Sequence, residues 1–335
     1  MNYKSILNLL GILLGIFSLS FIPPLILSYV YNESGNDVFL YSFLFFFILG
    51  GGIWAATRQE NLPLNISDGF IITTLFWVVL ACAGSVPFYF FGLNVSDAIF
   101  ESVSGITTTG ATTIVGLDNL PKSILLYRQL LQWIGGMGLI VLAVAVMPAL
   151  GIGGGQLYKM ELPGSHGNQK LTPKITDSAK ALWKIYVGLT VACATLYLLS
   201  GMSLFDSIAH SLSTVAGGGF STHDGSIGFF DSALIETVCI IFMLLSAASF
   251  AVHYAAIFGG KPLKYFYDSE FKFFLSVVFL IIAVSLIVHI VSNSYADIFS
   301  AFGSTVFHVV STVTTSGFTT ENFSLWPGFL PYLLL

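Results

Sequence analysis

The sequence predicts an all-α polytopic membrane protein, and three observations lead to that fold class. Of the 335 residues, 55% are hydrophobic and only 9% are charged, and the mean hydropathy is +0.86. The apolar runs are long enough to cross a bilayer core of about 30 Å as helices. A polar decapeptide rich in threonine, serine and glycine recurs three times between those runs. Such a composition excludes an ordinary soluble domain, and nucleic acid is not an expected ligand.

Seven long apolar spans follow one another along the chain, and an eighth begins at 329–335. The seven cover roughly 5–30, 38–56, 69–91, 123–150, 180–200, 232–258 and 271–292. The first is too long for a signal peptide and contains Pro23-Pro24, so we expect it to be retained as a helix. The three cysteines (Cys82, Cys193 and Cys239) all lie inside apolar runs, which favours small hydrophobic residues over a disulfide or a metal site.

The distribution of basic residues predicts the orientation in the membrane. A cytoplasmic N-terminus places ten of the twelve lysines and arginines on the inner side and leaves only Lys122 and Arg128 outside. The inner residues are Lys4, Arg58, Lys159, Lys170, Lys174, Lys180, Lys184, Lys261, Lys264 and Lys272. This asymmetry is the one that the positive-inside rule requires. The outer connections 92–122, 201–231 and 293–328 are too long for simple turns, and we expect re-entrant segments there.

The polar decapeptide is an internal repeat. Its copies are SGITTTGATT (Ser104–Thr113), STVAGGGFST (Ser213–Thr222) and STVTTSGFTT (Ser311–Thr320). They align without gaps and bring Gly110, Gly219 and Gly317 into register, 109 and then 98 residues apart. Each repeat therefore reads as a span, a short helix, a polar glycine loop and a second span.

An aspartate is the expected N-cap of each short helix: Asp97, Asp206 and Asp297. The first two precede their glycines by thirteen residues, and Asp297 precedes Gly317 by twenty. That difference of seven residues corresponds to about two helical turns.

An irregular polar backbone at membrane depth is tolerated only where it is buried in protein or lines a watery pathway. Glycine with a positive φ can aim carbonyl oxygens into such a pathway, where they replace the water around a cation. The sequence therefore predicts a selectivity filter, with an ion held at Gly110, Gly219 and Gly317. The filter residues are Thr108, Thr109, Gly110, Gly218, Gly219, Ser316 and Gly317. The alternative is that these small residues simply pack membrane helices together.

Titratable residues flank each loop on both sides. Glu101, His210 and His308 all lie nine positions before their glycine, where hydrogen bonds between repeats are expected and a metal ring is the alternative. Three carboxylates follow the glycines: Asp118, Asp224 and Glu321. We expect them either to lie at an outer mouth of the pore, where they would attract cations, or to be ordinary solvated acids. Arg128 is expected as an interface snorkel or in an outer-mouth ion pair.

Five segments carry a resemblance to the Trk/Ktr/HKT superfamily of potassium transporters, and within it to the bacterial TrkH type. They are TTTGAT (107–112), RQLLQWIGGMGLIVLAVAVMP (128–148), TVAGGGFSTHDGSIGFF (214–230), SFAVHYAAIFGGKPLKYFYDSEFKFF (249–274) and TVTTSGFTTENFSLWP (312–327). The resemblance covers essentially the whole chain. It implies potassium uptake across the bacterial cytoplasmic membrane through a pseudo-fourfold pore of membrane-pore-membrane repeats, with a potassium ion as substrate and no cofactor.

The resemblance also implies an organisation and partners. Residues 1–60 would form two extra helices, followed by repeat one at 69–150, repeat two at 180–258 and an incomplete repeat three at 271–335. Repeat four is absent, so three of four filter loops are expected. A homodimer in membrane lipid, joined by a cytosolic nucleotide-binding Trk regulatory subunit, completes the expected assembly; the lysine-rich segment 159–184 either seats that subunit or is only part of the positive-inside signal.

Two other functions remain open at this point. A truncated, non-conducting or accessory subunit is compatible with the missing repeat. An intramembrane hydrolase is the remote alternative, because STHDGS (Ser221–Ser226) contains a serine, a histidine and an aspartate. The outer-loop position of this segment, directly after Gly219, argues against the hydrolase.

Overall fold

The computed structural model describes residues 3–33, 35–58, 66–150, 175–261 and 263–334. These ranges contain α-helices and short 3-10 turns and no β-strand, which confirms the all-α class. The chain divides into two compact units, and among the described residues the division falls after Lys180. Lys159, Lys170, Lys174 and most of segment 159–184 lie outside the described residues.

The described residues of unit one form six helices before the division. They are α1 (Tyr3–Ser18), α2 (Ile22–Val30), α3 (Asn36–Thr57), α4 (Ile66–Phe90), α5 (Val95–Ile106) and α6 (Lys122–Leu150). A 3-10 turn at Leu19–Phe21 joins α1 to α2, so Tyr3–Val30 is long and apolar enough to cross the membrane as one segment. The short helix α5 and the irregular chain after it lie between two long helices, as the repeat predicts.

Close backbone contact and aromatic packing hold unit one together. Helices α1 and α3 meet at two glycines, where a Cβ on Gly50 would lie 2.7 Å from the carbonyl oxygen of Gly11. Such contacts are typical of membrane helices, whose association depends on close packing. The buried ring of Tyr127 on α6 lies 5.6 Å from Phe21 and 5.3 Å from Phe88, and its hydroxyl donates to the carbonyl of Gly84. The first helices thus pack directly on repeat one.

A carboxylate also connects the first helices to α6. Glu33, in the turn before α3, accepts hydrogen bonds from the backbone N–H groups of Lys122 at 2.6 Å and Ser123 at 3.1 Å. The first N–H groups of a helix have no partner within the helix, and the positive end of its dipole favours an anion. Glu33 therefore caps the helix that follows the first glycine loop.

Unit two contains α7 (Ile175–Leu199), apart from its first turns, and seven further helices. These are α8 (Leu204–Ala216), α9 (Ala233–Ala247), α10 (Phe250–Ile257), α11 (Lys264–Tyr267), α12 (Ser269–Val291), α13 (Ile298–Val313) and α14 (Leu330–Leu334). Two 3-10 turns, Ser226–Phe230 and Phe323–Leu325, follow the second and third glycine loops. The order of long helix, short helix, loop and helix is therefore present in both units.

Most of the expected spans are confirmed as helices. Five described segments are long and apolar enough to cross a membrane: Tyr3–Val30, Asp37–Thr57, Asp68–Phe90, Lys180–Leu199 and Ser269–Val291. The span expected at 123–150 is one continuous helix, α6. The span expected at 232–258 was wrong as a single helix, because Ala248 and Ser249 adopt extended ψ angles of 141° and 139° between α9 and α10.

A histidine compensates for the break between α9 and α10. Buried His253 donates from Nε2 to the carbonyl of Leu245 at 2.9 Å. This carbonyl lies in the last turn of α9, where the backbone N–H partner is lost because the helix ends. Its Nδ1 accepts from the hydroxyl of Tyr265 at 2.6 Å. The break contains neither proline nor glycine, and it depends on side chains from the next two helices of the chain.

Candidate ion-binding loops

The three decapeptides form loops that leave their short helices in the same way; we name them loop one (104–113), loop two (213–222) and loop three (311–320). In each loop, the residue two positions before the glycine donates its N–H to the carbonyl of the residue three positions before itself. The pairs are Thr108 to Gly105 (3.0 Å), Gly217 to Thr214 (3.1 Å) and Thr315 to Thr312 (2.9 Å). One residue later, an N–H donates five residues back: Thr109 to Ser104 (2.9 Å), Gly218 to Ser213 (3.0 Å) and Ser316 to Ser311 (2.9 Å). These paired bonds form a Schellman motif.

The loop glycines have almost identical backbone conformations. Their φ angles are +77° at Gly110, +75° at Gly219 and +78° at Gly317, which confirms the expected positive φ. The residue two positions earlier is also left-handed: Thr108 at +55°, Gly217 at +68° and Thr315 at +61°. A left-handed β-branched residue costs on the order of 1–3 kcal/mol and persists only where its surroundings hold it. Loops one and three therefore keep strained threonines next to their glycines.

The caps of the short helices differ in part from the prediction. Asn94 and Ser203 are the N-caps of α5 and α8, and their side chains accept from the N–H groups of Asp97 and Asp206. The aspartates stand at the third position of each helix, and their carboxylates accept a second hydrogen bond from the capping side chains. Asn94 Nδ2 donates to Asp97 at 2.6 Å, and Ser203 Oγ donates to Asp206 at 2.7 Å. These reciprocal contacts resemble a capping box. Only Asp297 caps its helix as expected, through the N–H groups of Phe299 and Ser300.

The corrected caps change the comparison of repeat lengths. Asn94 precedes Gly110 by sixteen residues (110 − 94), and Ser203 precedes Gly219 by sixteen (219 − 203). Asp297 precedes Gly317 by twenty (317 − 297), so the third stretch from cap to glycine is longer by four residues and not by seven. Four residues correspond to about one helical turn.

A buried ion pair supports loop one from behind. Glu101 on α5 and Arg128 on α6 are both 0% exposed, and Nε of the arginine lies 3.3 Å from Oε2 of the glutamate. The other carboxylate oxygen accepts from the hydroxyl of Thr112 and from the N–H of Thr113, the latter at 2.7 Å. Arg128 also donates to the Thr112 hydroxyl at 3.0 Å. Arg128 is therefore not an interface snorkel; it pairs with Glu101 behind the loop.

A histidine occupies the same position behind loop two. His210 donates from Nδ1 to the carbonyl of Asp206 at 2.9 Å, and its Nε2 accepts from the hydroxyl of Ser221 at 2.9 Å. The carboxylate of Asp206 accepts from the Thr222 hydroxyl at 2.8 Å and lies 3.4 Å from Nε2 of His223. Burial alone would raise the pKa of Asp206, but hydrogen bonds from His223, Ser203 and Thr222 hold it well below the usual range.

Loop three repeats this arrangement with His308. Its Nδ1 lies 2.9 Å from the carbonyl of Ser304, and its Nε2 lies 3.2 Å from the carbonyl of Glu321 and 3.4 Å from the N–H of Thr320. The hydroxyl of Ser311 donates to the carbonyl of Phe318, directly after the glycine, at 2.7 Å. In each repeat, the residue nine positions before the glycine thus contacts the segment two to four positions after it.

The hydrogen bonds of Glu101, His210 and His308 were expected between repeats, and that prediction was wrong. Each side chain instead bonds the loop of its own repeat, because the chain turns back along its own short helix after the glycine. Across the described ranges, no group of three or more histidine, cysteine, aspartate or glutamate side chains could hold a metal ion. An acid or a histidine at the same offset before the glycine in all three short helices was the sequence signal for this support.

Loops two and three lie side by side within unit two. A Cβ on Gly219 would overlap the carbonyl oxygen of Ser316, so only glycine fits there. Further along, the N–H of Gly228 donates to the carbonyl of Thr319 at 3.1 Å, and the N–H of Thr319 donates to Ser226 Oγ at 3.2 Å. Unit two thus brings together four of the predicted filter residues (Gly218, Gly219, Ser316 and Gly317). Thr108, Thr109 and Gly110 lie in loop one of unit one.

Hydroxyl pairs line two of the three loops. In loop one, the Oγ1 atoms of Thr107 and Thr109 lie 2.7 Å apart. In loop three, Oγ1 of Thr314 lies 3.0 Å from Oγ of Ser316. The equivalent positions in loop two are Ala216 and Gly218, which have no hydroxyl. The backbone geometry is therefore shared by all three loops, but the hydroxyl oxygens are not.

The three carboxylates expected at the outer mouth have different environments. Asp118, in the 3-10 turn Leu117–Asn119, and Asp224 are both exposed. Glu321 accepts hydrogen bonds from Tyr295, from Ser304 and, at 2.9 Å, from Nε1 of Trp326. Burial acts to raise the pKa of Glu321, but these three donors lower it overall. Burial and this contact also raise the pKa of Tyr295 to about 12. Glu321 therefore has a defined structural role in fastening the end of loop three.

Comparisons with known proteins identify the family of this chain. The TrkH family model, described as cation transport protein, matches residues 35–335. The Trk system potassium uptake protein TrkH of Vibrio parahaemolyticus is 47% identical over 340 residues, which cover 100% of this chain and 70% of that protein. The Trk system potassium uptake protein TrkG of Escherichia coli K12 is 41% identical, with coverage of 97% and 68%.

A solved structure has the same fold. The crystal structure of the potassium transporter TrkH from Vibrio parahaemolyticus superimposes with a TM-score of 0.88 at 45% sequence identity, covering 100% of this chain and 69% of that one. This match confirms the helical polytopic membrane fold. Because the family model matches residues 35–335 and the relatives match along almost the whole chain, the protein belongs to the TrkH family of cation transport proteins.

Proposed function

We propose that this chain carries potassium ions into the cell across the bacterial cytoplasmic membrane, as the membrane subunit of a Trk-type uptake system. The names of its relatives, which are potassium uptake proteins and a potassium transporter, support this proposal. The observation that carries it is the recurrence of one backbone geometry. Three short helices end in the same pair of hydrogen bonds, followed by a glycine with φ between +75° and +78°.

The proposed binding site for potassium is formed by backbone and hydroxyl oxygens at Gly110, Gly219 and Gly317, together with Thr108, Thr109, Gly218 and Ser316. Carbonyl oxygens held at a fixed geometry replace the hydration shell of a cation. Helices α5, α8 and α13 direct their C-terminal ends, which carry the negative end of the helix dipole, toward the loops. One glycine per loop gives a short filter, so few ions bind in series. The exposed acids Asp118 and Asp224 would raise the local cation concentration.

The remaining features of the proposal concern organisation. Residues 1–60 would be an N-terminal pair of helices outside the pore, with repeats at 69–150, 180–258 and 271–335. We further propose a homodimer in the lipid bilayer, regulated by a cytosolic nucleotide-binding Trk subunit. The chain would act as a transporter and not as an enzyme. Ser221, the nucleophile of the alternative hydrolase, is only 5% exposed, and this burial does not favour substrate access.

Growth of a potassium-uptake-deficient bacterium at low external potassium tests the transport function. The chain would be expressed alone and fused to the part of the Vibrio relative that it does not match. At least one of these proteins should restore growth and uptake of rubidium, a potassium analogue. Membrane insertion without growth or rubidium uptake in both contexts would contradict the proposed function.

Labelling of single cysteines tests the proposed orientation, in a background where Cys82, Cys193 and Cys239 are replaced by alanine. Cysteines at Asn94, Gly225 and Asn322 should react with an impermeant thiol reagent added outside intact cells, because these positions belong to the outer connections. A cysteine at Gly260 should react only after the cells are opened. The reverse pattern would place the glycine loops on the cytoplasmic side and would refute the orientation.

A further inference from the structure

We propose that the residue nine positions before each loop glycine is a positioning residue that sets ion selectivity. These residues are Glu101, His210 and His308. The inference rests on the proposed function, since selectivity has meaning only for a chain that conducts cations. It concerns side chains that lie behind the loops and are separate from the oxygens proposed to bind the ion.

The two sides of each glycine are held by different means. Before the glycine, the main chain is fixed by the paired backbone hydrogen bonds at the end of the short helix. After the glycine, side chains make the contacts, and the one nine positions earlier does so in all three loops, beside Asp206 in loop two and Ser311 in loop three. In loop one, the same oxygen of Glu101 receives the N–H of Thr113 at 2.7 Å and that of Ile114 at 3.4 Å. The position of the descending segment therefore depends on a side chain.

The three side chains share one property, although their types differ. His210 donates Nδ1–H to the carbonyl four residues earlier, which makes Nε2 an acceptor in the neutral ring, and this acceptor faces Ser221 Oγ in loop two. In loop three, Nε2 of His308 lies 3.2 Å from the carbonyl of Glu321 and 3.4 Å from the N–H of Thr320. The carboxylate of Glu101 is an acceptor in loop one. The common requirement is a hydrogen-bonding side-chain atom directed at the segment that follows the glycine.

Burial makes this contact important for the geometry of the loop. Glu101, His210 and His308 are exposed by 0%, 0% and 1%, so water cannot replace a lost acceptor. Binding geometries must be held within about 0.5 Å by supporting residues if they are to act on a ligand. Potassium and sodium differ in size and in their demand for coordinating oxygens, so a looser loop should discriminate less between them.

His210 offers a direct test with a conservative rescue. In His210→Gln, the amide oxygen can accept from Ser221, whereas His210→Leu fills similar volume without an acceptor. The matched control is Ser207→Ala on the same helix, because buried Ser207 donates to the carbonyl of Ser203 and not to the loop. Rubidium and sodium uptake are measured for each variant in the context that restores growth.

We expect His210→Leu to lower the rubidium-to-sodium uptake ratio about tenfold, which corresponds to the loss of one buried hydrogen bond. His210→Gln and Ser207→Ala should keep the ratio within about twofold of the wild type. The same pair of substitutions at His308 should behave alike. A ratio in His210→Leu equal to that of the control would overturn the selectivity role.

Hydrogen exchange separates this inference from the transport function itself. In the purified protein, peptides that cover the segment after Gly219 should exchange faster in His210→Leu than in His210→Gln or in Ser207→Ala. Unchanged exchange would overturn the positioning role, even if uptake changed. A wild-type chain that carries no potassium would instead refute the proposed function, and with it the selectivity role, whatever the exchange result.

Discussion

Gly219→Ala should abolish selective potassium uptake, whereas Gly317→Ala should reduce it only in part. Both glycines have a left-handed backbone, at +75° and +78°, which costs an alanine about 1–2 kcal/mol. Their surroundings differ. A Cβ on Gly219 would overlap the carbonyl of Ser316 in the neighbouring loop, but a Cβ on Gly317 meets no heavy atom within 4 Å. Alanine at 219 must therefore displace an oxygen that is itself proposed to bind the ion.

The uptake ratio of rubidium to sodium measures this difference, with the amount of protein in the membrane determined alongside. Gly303→Ala is the matched control, because this glycine lies within α13 and a Cβ there also meets nothing within 4 Å. Alanine is favoured in a helix interior, so the control should transport normally. Equal losses in Gly219→Ala and Gly317→Ala would show that backbone conformation alone decides, and that contact between the loops does not.

Arg128→Met should destabilise the protein by about 3–5 kcal/mol, because it leaves the charge of Glu101 buried without its partner. The arginine and the glutamate are both fully buried, and both contact Thr112. The double variant Glu101→Gln with Arg128→Met removes both charges and should recover part of the loss. The thermal unfolding midpoint of the detergent-solubilised protein measures each change.

Lys122→Met provides the matched control on the same helix. The Lys122 ammonium lies 4.2 Å from the centre of the Tyr31 ring, outside the buried pair. Losing this contact should cost about 0.5–1 kcal/mol, well below the effect of Arg128→Met. A double variant that is less stable than Arg128→Met would contradict the view that the unpaired carboxylate is the main cost.

The sequence allowed the repeat and the backbone of its loops to be predicted, because glycine has a distinct conformational range. Aligning Gly110, Gly219 and Gly317 needed only their spacing, and a positive φ follows from the absence of a side chain. The helices were predictable from apolar run length. These properties are local, so they are visible without knowledge of which residues meet in three dimensions.

Features that depend on distant contacts were not predictable in the same way. Asn94 and Asp97 are both good capping residues, and composition does not say which of them accepts the first bonds of α5. The break at Ala248 has no proline or glycine, and it becomes understandable only when His253 reaches Leu245. Burial of Arg128 required knowing that Glu101 lies opposite. In each case the decisive partner is a side chain whose position the fold supplies.

The paired hydrogen bonds at the end of each short helix connect main-chain atoms only, and this has a consequence for how such repeats change after gene duplication. A main-chain bond survives when Thr108 in one copy corresponds to Gly217 in another. Each copy is then free to acquire its own hydroxyls and its own supporting acid or histidine without losing the turn. Copies of one ancestral unit can in this way diverge into walls of different chemistry around a common geometry.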